Sequence, residues 1–180
     1  SLFTEVAKDK SNQGEGNISP LLQKISDYTQ TSQEAMNDIV WMINTRNDRF
    51  ENIIVRMRSL TVELLEAKNI VLHLHFDDRL NQLKMGMNER KNFYLIYKEA
   101  LNNIVKYAQC ENVWVDLRLL NSAVHLKIVD DGKGFDTGAN FTAGNGLVNM
   151  KKRVEVLKGT IHIDSIPGKG TTLELSFHLN

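Results

Sequence analysis

The sequence has little of several features that would otherwise define a class of protein. One cysteine, Cys110, stands among 180 residues, which excludes an internal disulfide and a multi-cysteine zinc or iron–sulfur site. The 22 basic residues equal the 22 acidic ones, so the broad attraction to nucleic acid or to an anionic membrane is missing. No apolar run approaches the roughly 20 residues that span a bilayer. These absences favour a cytosolic globular protein with no nucleic-acid partner.

What is present begins with two amphipathic helices. Apolar residues at three- and four-residue steps predict a helix from about Leu21 to Asn44, and a second from Asn47 or Asp48 to about Lys68. Such stripes are typical of core packing or of helix pairing. The first third of the chain is therefore predicted to be helical.

Beyond Lys68 the pattern changes to strands, hairpins and two more helices. Alternating residues predict a strand over 69–76, where His73 and His75 share one face and favour a surface strand over a metal site. A helix is predicted over 88–109 and another over 146–158. Hairpins are predicted over 113–129 and 160–179. The order predicts an α+β fold with a largely antiparallel sheet.

Two patterns in this second part carry chemistry. Glu99 and Asn103 are four residues apart on a predicted helix and so share one face, where their oxygen atoms suit Mg²⁺. The segment Asp130-x-Gly132-x-Gly134 follows an apolar strand, and a carboxylate at a strand end accepts a hydrogen bond from an exocyclic amine such as that of adenine. Alone, each pattern is common in solvated helices and in turns.

Glycines are concentrated in the same region. Eight of the eleven lie between Gly132 and Gly170. The pair Gly144 and Gly146 opens a predicted helix, whose free backbone N–H groups and dipole favour phosphate. The small and polar residues 137–143 before it predict a mobile lid. The pattern is neither a Walker A nor a Rossmann motif.

Taken in order, four motifs resemble the nucleotide-binding boxes of the histidine-kinase-type ATPases, which include sensor kinases, type II topoisomerases, mismatch-repair ATPases and heat-shock chaperones: Glu99-x-x-x-Asn103, Asp130-x-Gly132-x-Gly134, Gly144-x-Gly146-Leu147 and Gly170-Thr171. The phrases at 98–108 and 146–153 are similar to those of bacterial two-component sensor histidine kinases of the nitrate-sensor and lipid-desaturation-sensor type. The resemblance reaches back to about Leu21. It implies a two-layer α/β sandwich with a mixed, largely antiparallel sheet, preceded by a helical segment.

The resemblance also implies roles for individual residues. Asn103 coordinates Mg²⁺, and Glu99, the catalytic residue, supports the metal or polarises the attacking group. Asp130 binds the adenine amine. The remaining residues contact ATP: Lys106 at a phosphate, Gly132 and Gly134 at the base and ribose, Gly144, Gly146 and Leu147 at the lid, and Thr171 on the adenine side.

Two departures from the family pattern stand out. Tyr107 occupies a position that is often His in this subgroup, and the phosphoaccepting histidine is missing, since all five histidines fall in predicted strands. The N-terminal residues 1–5 look like the segment that follows the acceptor. We therefore expect a fragment that binds ATP without phosphorylating itself.

The predicted domain organisation follows from this resemblance. Residues 1–46 are predicted to be the remnant of dimerisation and phosphoacceptor helices, and residues 47–180 the ATP-binding catalytic domain. The expected partners are a response regulator and a second copy of the chain through the N-terminal helices, within a membrane-anchored parent protein. Two alternatives stay open: an ATP-driven clamp ATPase of the same superfamily, and a dimerising module with a vestigial ATP site.

Overall fold

A computed structural model describes residues 19–44, 48–136 and 144–179, which fall into two compact units divided between residues 44 and 45. The first unit contains helix α1, Ser19–Ile43. Pro20 stands in its first turn, where the missing N–H costs nothing. Large apolar side chains of α1 are exposed: Leu22, Tyr28, Met36, Ile39, Val40 and Ile43. Among the described residues, no helix has the length and apolar character to cross a membrane.

The second unit is built on a five-stranded sheet. Its strands are β1 (Val71–Phe76), β2 (Asn112–Leu120), β3 (Ala123–Asp130), β4 (Thr160–Ser165) and β5 (Thr171–His178). The order across the sheet is β1-β2-β3-β5-β4, with β1 parallel to β2 and every other neighbouring pair antiparallel. The predicted mixed, largely antiparallel sheet is confirmed.

In both hairpins the backbone conformation of the turn explains the residue types found there. Asn121 and Ser122 join β2 to β3 with φ values of 48° and 64°, which matches the twist of a tight hairpin. Gly168 and Gly170, between β4 and β5, also have positive φ, where glycine is favoured over other residues.

Helices cover one face of the sheet and enclose the core. They are α2 (Phe50–Glu66), α3 (Met87–Asn103) and α4 (Asn145–Val156), with a short 3₁₀ helix at Asp78–Gln82. Phe93 of α3 has its ring centroid 6.0 Å from that of Phe50 and 5.3 Å from that of Phe177 on β5. All three rings are buried, so this aromatic cluster joins two helices to the sheet.

The opposite face of the sheet is polar. Because strand side chains alternate, all five histidines lie on this outer face. His73 stacks on Trp114 with ring centroids 5.0 Å apart, and His75 lies 2.6 Å from Asp116. No group of three or more His, Cys, Asp or Glu side chains suited to a metal ion occurs among the described residues.

The helix predicted over 88–109 differs in its last turn. The α-helix ends at Asn103 and continues as a π-helical turn, Ile104–Ala108, before Gln109 adopts a left-handed conformation with φ of 55°. A π turn takes one more residue than an α turn, which a regular helical period does not anticipate. This local change decides which side chains reach the cavity described next.

Candidate functional site

A cavity of about 590 Å³ lies between the inner face of the sheet and helices α3 and α4. The C-terminal end of β3 and the N-terminal end of β5 form its floor, and the π turn forms one side. Its walls are mainly apolar, with a few polar groups: Glu99, Asn103, Asp130, Lys133, Asn145 and Thr171. An apolar cleft with few polar groups is typical of a small-molecule site.

Helix α3 contributes Glu99 and Asn103 to this cavity. They lie one turn apart and both are half-buried. The Glu99 carboxylate packs against the first turn of α4, because a Cβ built on Gly146 would lie 2.1 Å from Glu99 Oε1. Gly146 therefore leaves the space that the carboxylate occupies.

The π turn after Asn103 selects which of its residues face the cavity. Tyr107 and Ala108 line the wall, whereas Lys106 is exposed and is not part of it. The longer i→i+5 turn changes which residues lie one turn beyond Asn103, and Lys106 stays outside the cavity wall. Its predicted phosphate contact stays a prediction.

Asp130 ends β3 at the floor of the cavity and is 4% exposed. Its Oδ1 accepts a hydrogen bond of 3.0 Å from the backbone N–H of Gly132. Burial raises the pKa of the Asp130 carboxyl, while hydrogen bonds from Gly132 and Thr171 oppose that rise. The carboxylate is thus held in a fixed direction inside a poorly hydrated cavity.

The glycines after Asp130 are required by the packing of the chain itself. A Cβ on Gly132 would lie 2.3 Å from the Ala108 carbonyl oxygen, and Gly132 does not line the cavity. Gly134 has φ of 58°, and a Cβ there would lie 2.1 Å from the Ile166 carbonyl oxygen. Gly134 does line the cavity. Their predicted contacts with base and ribose stay predictions.

Helix α4 begins at the opposite end of the cavity. Gly144 precedes its first turn, and Gly144, Gly146 and Leu147 all line the wall. A Cβ on Gly144 would meet nothing within 4 Å among the described residues. The lid predicted over 137–143, with Gly138 and Phe141, lies outside the described residues.

Sequence reasoning missed several residues of the wall. Lys133 stands within the predicted Asp130 motif and Phe135 directly follows it, so their nearness to the site was implicit in the spacing. The apolar wall residues gave a weaker signal: each lies at a position that the hydrophobic period of its strand or helix places on the core-facing side. They are Ile104, Ile128, Met150, Ile163 and Leu173.

Comparison with known proteins agrees with this geometry. Residues 88–180 match the family described as histidine kinase-, DNA gyrase B-, and HSP90-like ATPase. The chain belongs to this family of ATPases. The resemblance to the ATP-binding catalytic domain of sensor histidine kinases, predicted from the motifs, is confirmed.

Individual relatives are sensor kinases. The sensor histidine kinase LiaS of Bacillus subtilis is 24% identical over 169 residues, which cover 87% of this chain and 46% of LiaS. The sensor histidine kinase DesK of the same organism is 24% identical over 85% of this chain and 40% of DesK. The chain thus spans less than half the length of these curated relatives.

A solved structure shows the same fold. The histidine kinase AdeS of Acinetobacter baumannii superposes with a TM-score of 0.69 at 15% identity, over 98% of this chain and 93% of that chain. The predicted α+β fold is confirmed.

Proposed function

We propose that this chain is the kinase part of a two-component sensor, which transfers the γ-phosphoryl group of ATP to a histidine nitrogen outside the chain. The observation that carries the proposal is that one cavity contains two different chemical environments, one at each of its ends. A buried, directed carboxylate, Asp130, lies at the floor, and a helix N-terminus beside Glu99 and Asn103 lies at the far wall. A base and a triphosphate need these two different environments.

The adenine end is supported by Asp130 and its apolar surroundings. The carboxylate accepts a hydrogen bond from the 6-amino group of adenine, whereas guanine presents a carbonyl oxygen at the same position. Ile128, Ile163 and Leu173 line the cavity beside it and exclude water from the base. The pocket therefore favours a purine with an exocyclic amine.

The phosphate end is supported by the donor set on α3 and α4. The first turn of α4 lines the cavity, and the backbone N–H groups at a helix N-terminus favour phosphate oxygens. The Glu99 carboxylate and the Asn103 amide oxygen are hard oxygen donors, so they fit Mg²⁺ that also binds phosphates and water. When bound, Mg²⁺ would neutralise charge on the phosphates. Glu99 additionally orients the attacking histidine as an acceptor for its N–H proton.

The helical unit supports a second part of the proposal, a homodimer. The exposed apolar stripe of α1 includes Met36, Ile39 and Val40, which a second copy would bury. The chain has no acceptor histidine in its helices, so the phosphoryl group must go to a separate segment. A response regulator would then take it, and the parent protein would be a membrane-anchored sensor with this part in the cytosol.

Calorimetry and phosphorylation test the kinase proposal. We expect this chain to bind ATP and ADP more tightly with Mg²⁺ than without, and more tightly than GTP. The full-length parent should form an acid-labile phosphohistidine that is lost in Glu99→Gln, with Glu89→Gln as a matched control on the same helix. Release of inorganic phosphate with no protein phosphorylation would point instead to a clamp ATPase, and absence of nucleotide binding would refute the proposal.

Sedimentation tests the dimer. The chain should associate at high concentration, and Val40→Lys should abolish that association, whereas Val62→Lys, at an exposed position of the second unit, should not. A strict monomer at high concentration would contradict the dimer alone.

A further inference from the structure

Ser165, the last residue of β4, has a hydroxyl group that joins three segments of the chain. It is 7% exposed. Its Oγ accepts a hydrogen bond of 2.9 Å from the backbone N–H of Phe135, lies 3.1 Å from the Gly170 carbonyl oxygen as a donor, and lies 3.0 Å from Thr171 Oγ1. Such a buried hydroxyl with three partners is strongly constrained in direction.

Ser165 lies in a cross-strand row that ends at Asp130, the residue that we propose binds the adenine amine. Asp130 on β3 pairs in register with Thr171 on β5, and Thr171 pairs with Ser165 on β4. Side chains directly opposite one another in a sheet interact. The row therefore carries three hydrogen-bonding side chains from Ser165 to Asp130.

The direction of the hydrogen bonds in this row follows from the number of protons. Thr171 stands directly opposite Asp130 in the sheet, and its side chain lowers the pKa of that carboxyl. Because a carboxylate only accepts, Thr171 directs its single hydroxyl proton toward Asp130 in this row. Its oxygen is then an acceptor toward Ser165. Ser165 shares its own proton between Thr171 Oγ1 and the Gly170 oxygen.

Ser165 itself does not line the cavity, whereas two of its three hydrogen-bond partners do. These are Phe135 and Thr171, and Asp130 at the end of the row is also a wall residue. We propose that Ser165 is a positioning residue for adenine specificity: it holds the Thr171 hydroxyl toward Asp130 and at the same time fixes the Phe135 backbone beside the base. This inference rests on the proposed binding of adenine at Asp130.

Loss of the hydroxyl would affect recognition of the base more than binding of the phosphates. In Ser165→Ala the Thr171 oxygen loses its donor, so the Thr171 hydroxyl is free to turn toward the Gly170 oxygen. Asp130 then loses a donor that orients its carboxylate. Among the described residues, the hydrogen bonds of this row do not involve the α4 N-terminus, Glu99 or Asn103, so phosphate contacts should be retained.

The test compares ATP with inosine triphosphate, which differs in bearing an oxygen in place of the 6-amino group. Dissociation constants for both are measured by calorimetry on the wild-type chain and on Ser165→Ala, Ser165→Thr and Ser176→Ala. Ser165→Ala should lower the preference for ATP about tenfold, the worth of one hydrogen bond, with little change in affinity for inosine triphosphate. Ser165→Thr keeps the hydroxyl and should restore the preference.

Ser176 supplies the matched control. It lies on β5 of the same sheet but on the outer face, where its hydroxyl lies 3.4 Å from His125 Nε2, and Ser176→Ala should behave as wild type. A wild-type preference for ATP that survives in Ser165→Ala would overturn this inference alone, as would an equal loss of affinity for both nucleotides. A wild-type chain without any preference would overturn the adenine proposal as well. Should Ser165→Ala not fold, Ser165→Cys, which keeps the size but bonds weakly, decides in the same way.

Discussion

Replacing Gly146 by alanine should impair phosphoryl transfer without weakening the fold. Gly146 is the second residue of α4, where alanine is the better helix former by up to about 1 kcal/mol. The added Cβ would lie 2.1 Å from Glu99 Oε1 and 3.0 Å from Glu99 Cδ. The atoms that it meets belong to the end of a flexible side chain, so the carboxylate moves rather than the backbone.

The size of that movement determines the expected loss of activity. Ordinary van der Waals contact begins near 3.4 Å, so Oε1 must withdraw by about 1.3 Å, the gap between 2.1 and 3.4 Å. A displacement of about 1 Å in a catalytic group costs on the order of a hundredfold in rate. We therefore expect phosphoryl transfer to fall about a hundredfold in Gly146→Ala.

The assay separates this effect from loss of structure or of binding. Autophosphorylation is measured in the full-length parent, while ATP affinity and melting temperature are measured in this chain. The melting temperature should stay equal or rise. ATP affinity should fall by no more than about tenfold, the loss expected when the Glu99 carboxylate is removed altogether, because the adenine end is untouched. Gly86→Ala is the control, since Gly86 also stands at the start of a helix, as the N-cap of α3, but its Cβ would lie 3.4 Å from the nearest atom, Glu89 Oε2.

Two results would refute the reasoning about Gly146. A wild-type rate would show that Glu99 does not act from its observed position. A fall in stability of more than about 1 kcal/mol, the helix-propensity scale, would show that the carboxylate cannot move aside and that the backbone yields instead.

Further predictions concern the remaining carboxylates and Asn103. Asp130→Asn should shift preference from ATP toward GTP, because an amide N–H₂ donates to the guanine carbonyl oxygen; competition binding checks this. The pKa of Asp130 is raised in the folded state, so the Asp130 carboxyl favours folding at low pH, where it is protonated, and this advantage is lost as pH rises. Asp130→Asn should therefore have a higher melting temperature than the wild type at pH 7. The difference should disappear below about pH 4. Glu99→Ala and Asn103→Ala should each weaken Mg²⁺-dependent ATP binding roughly tenfold, the worth of one good contact, with unchanged circular dichroism; if Mg²⁺ dependence survives in both, the metal lies elsewhere. Hydrogen bonds from Asn112 and Glu111 lower the pKa of Asp131, so its stabilisation is present at neutral pH and lost as pH falls below about 4; Asp131→Ala should flatten the acid limb of the unfolding curve, and an unchanged limb would contradict this.

Much of the fold and part of the candidate site were predictable because they depend on residues close together in sequence. The amphipathic stripe of α2 and the alternation of β3 follow from the periods of helix and strand, which local backbone geometry sets. Glu99 and Asn103 fall on one face because they are four residues apart. The order of the four motifs was enough to indicate the family.

The tertiary structure decided what depends on distant contacts. In the π turn Tyr107 lines the cavity whereas Lys106 is exposed and does not, although a regular helical period treats both as neighbours of Asn103. Gly132 is required by the Ala108 carbonyl, and Gly146 by the Glu99 carboxylate, which no spacing indicates. Ser165 reaches Phe135 across 30 positions of the chain. Such contacts arise only when β3, β4 and β5 pair in one register, because residues far apart in sequence become neighbours through sheet pairing and close packing rather than through any local period.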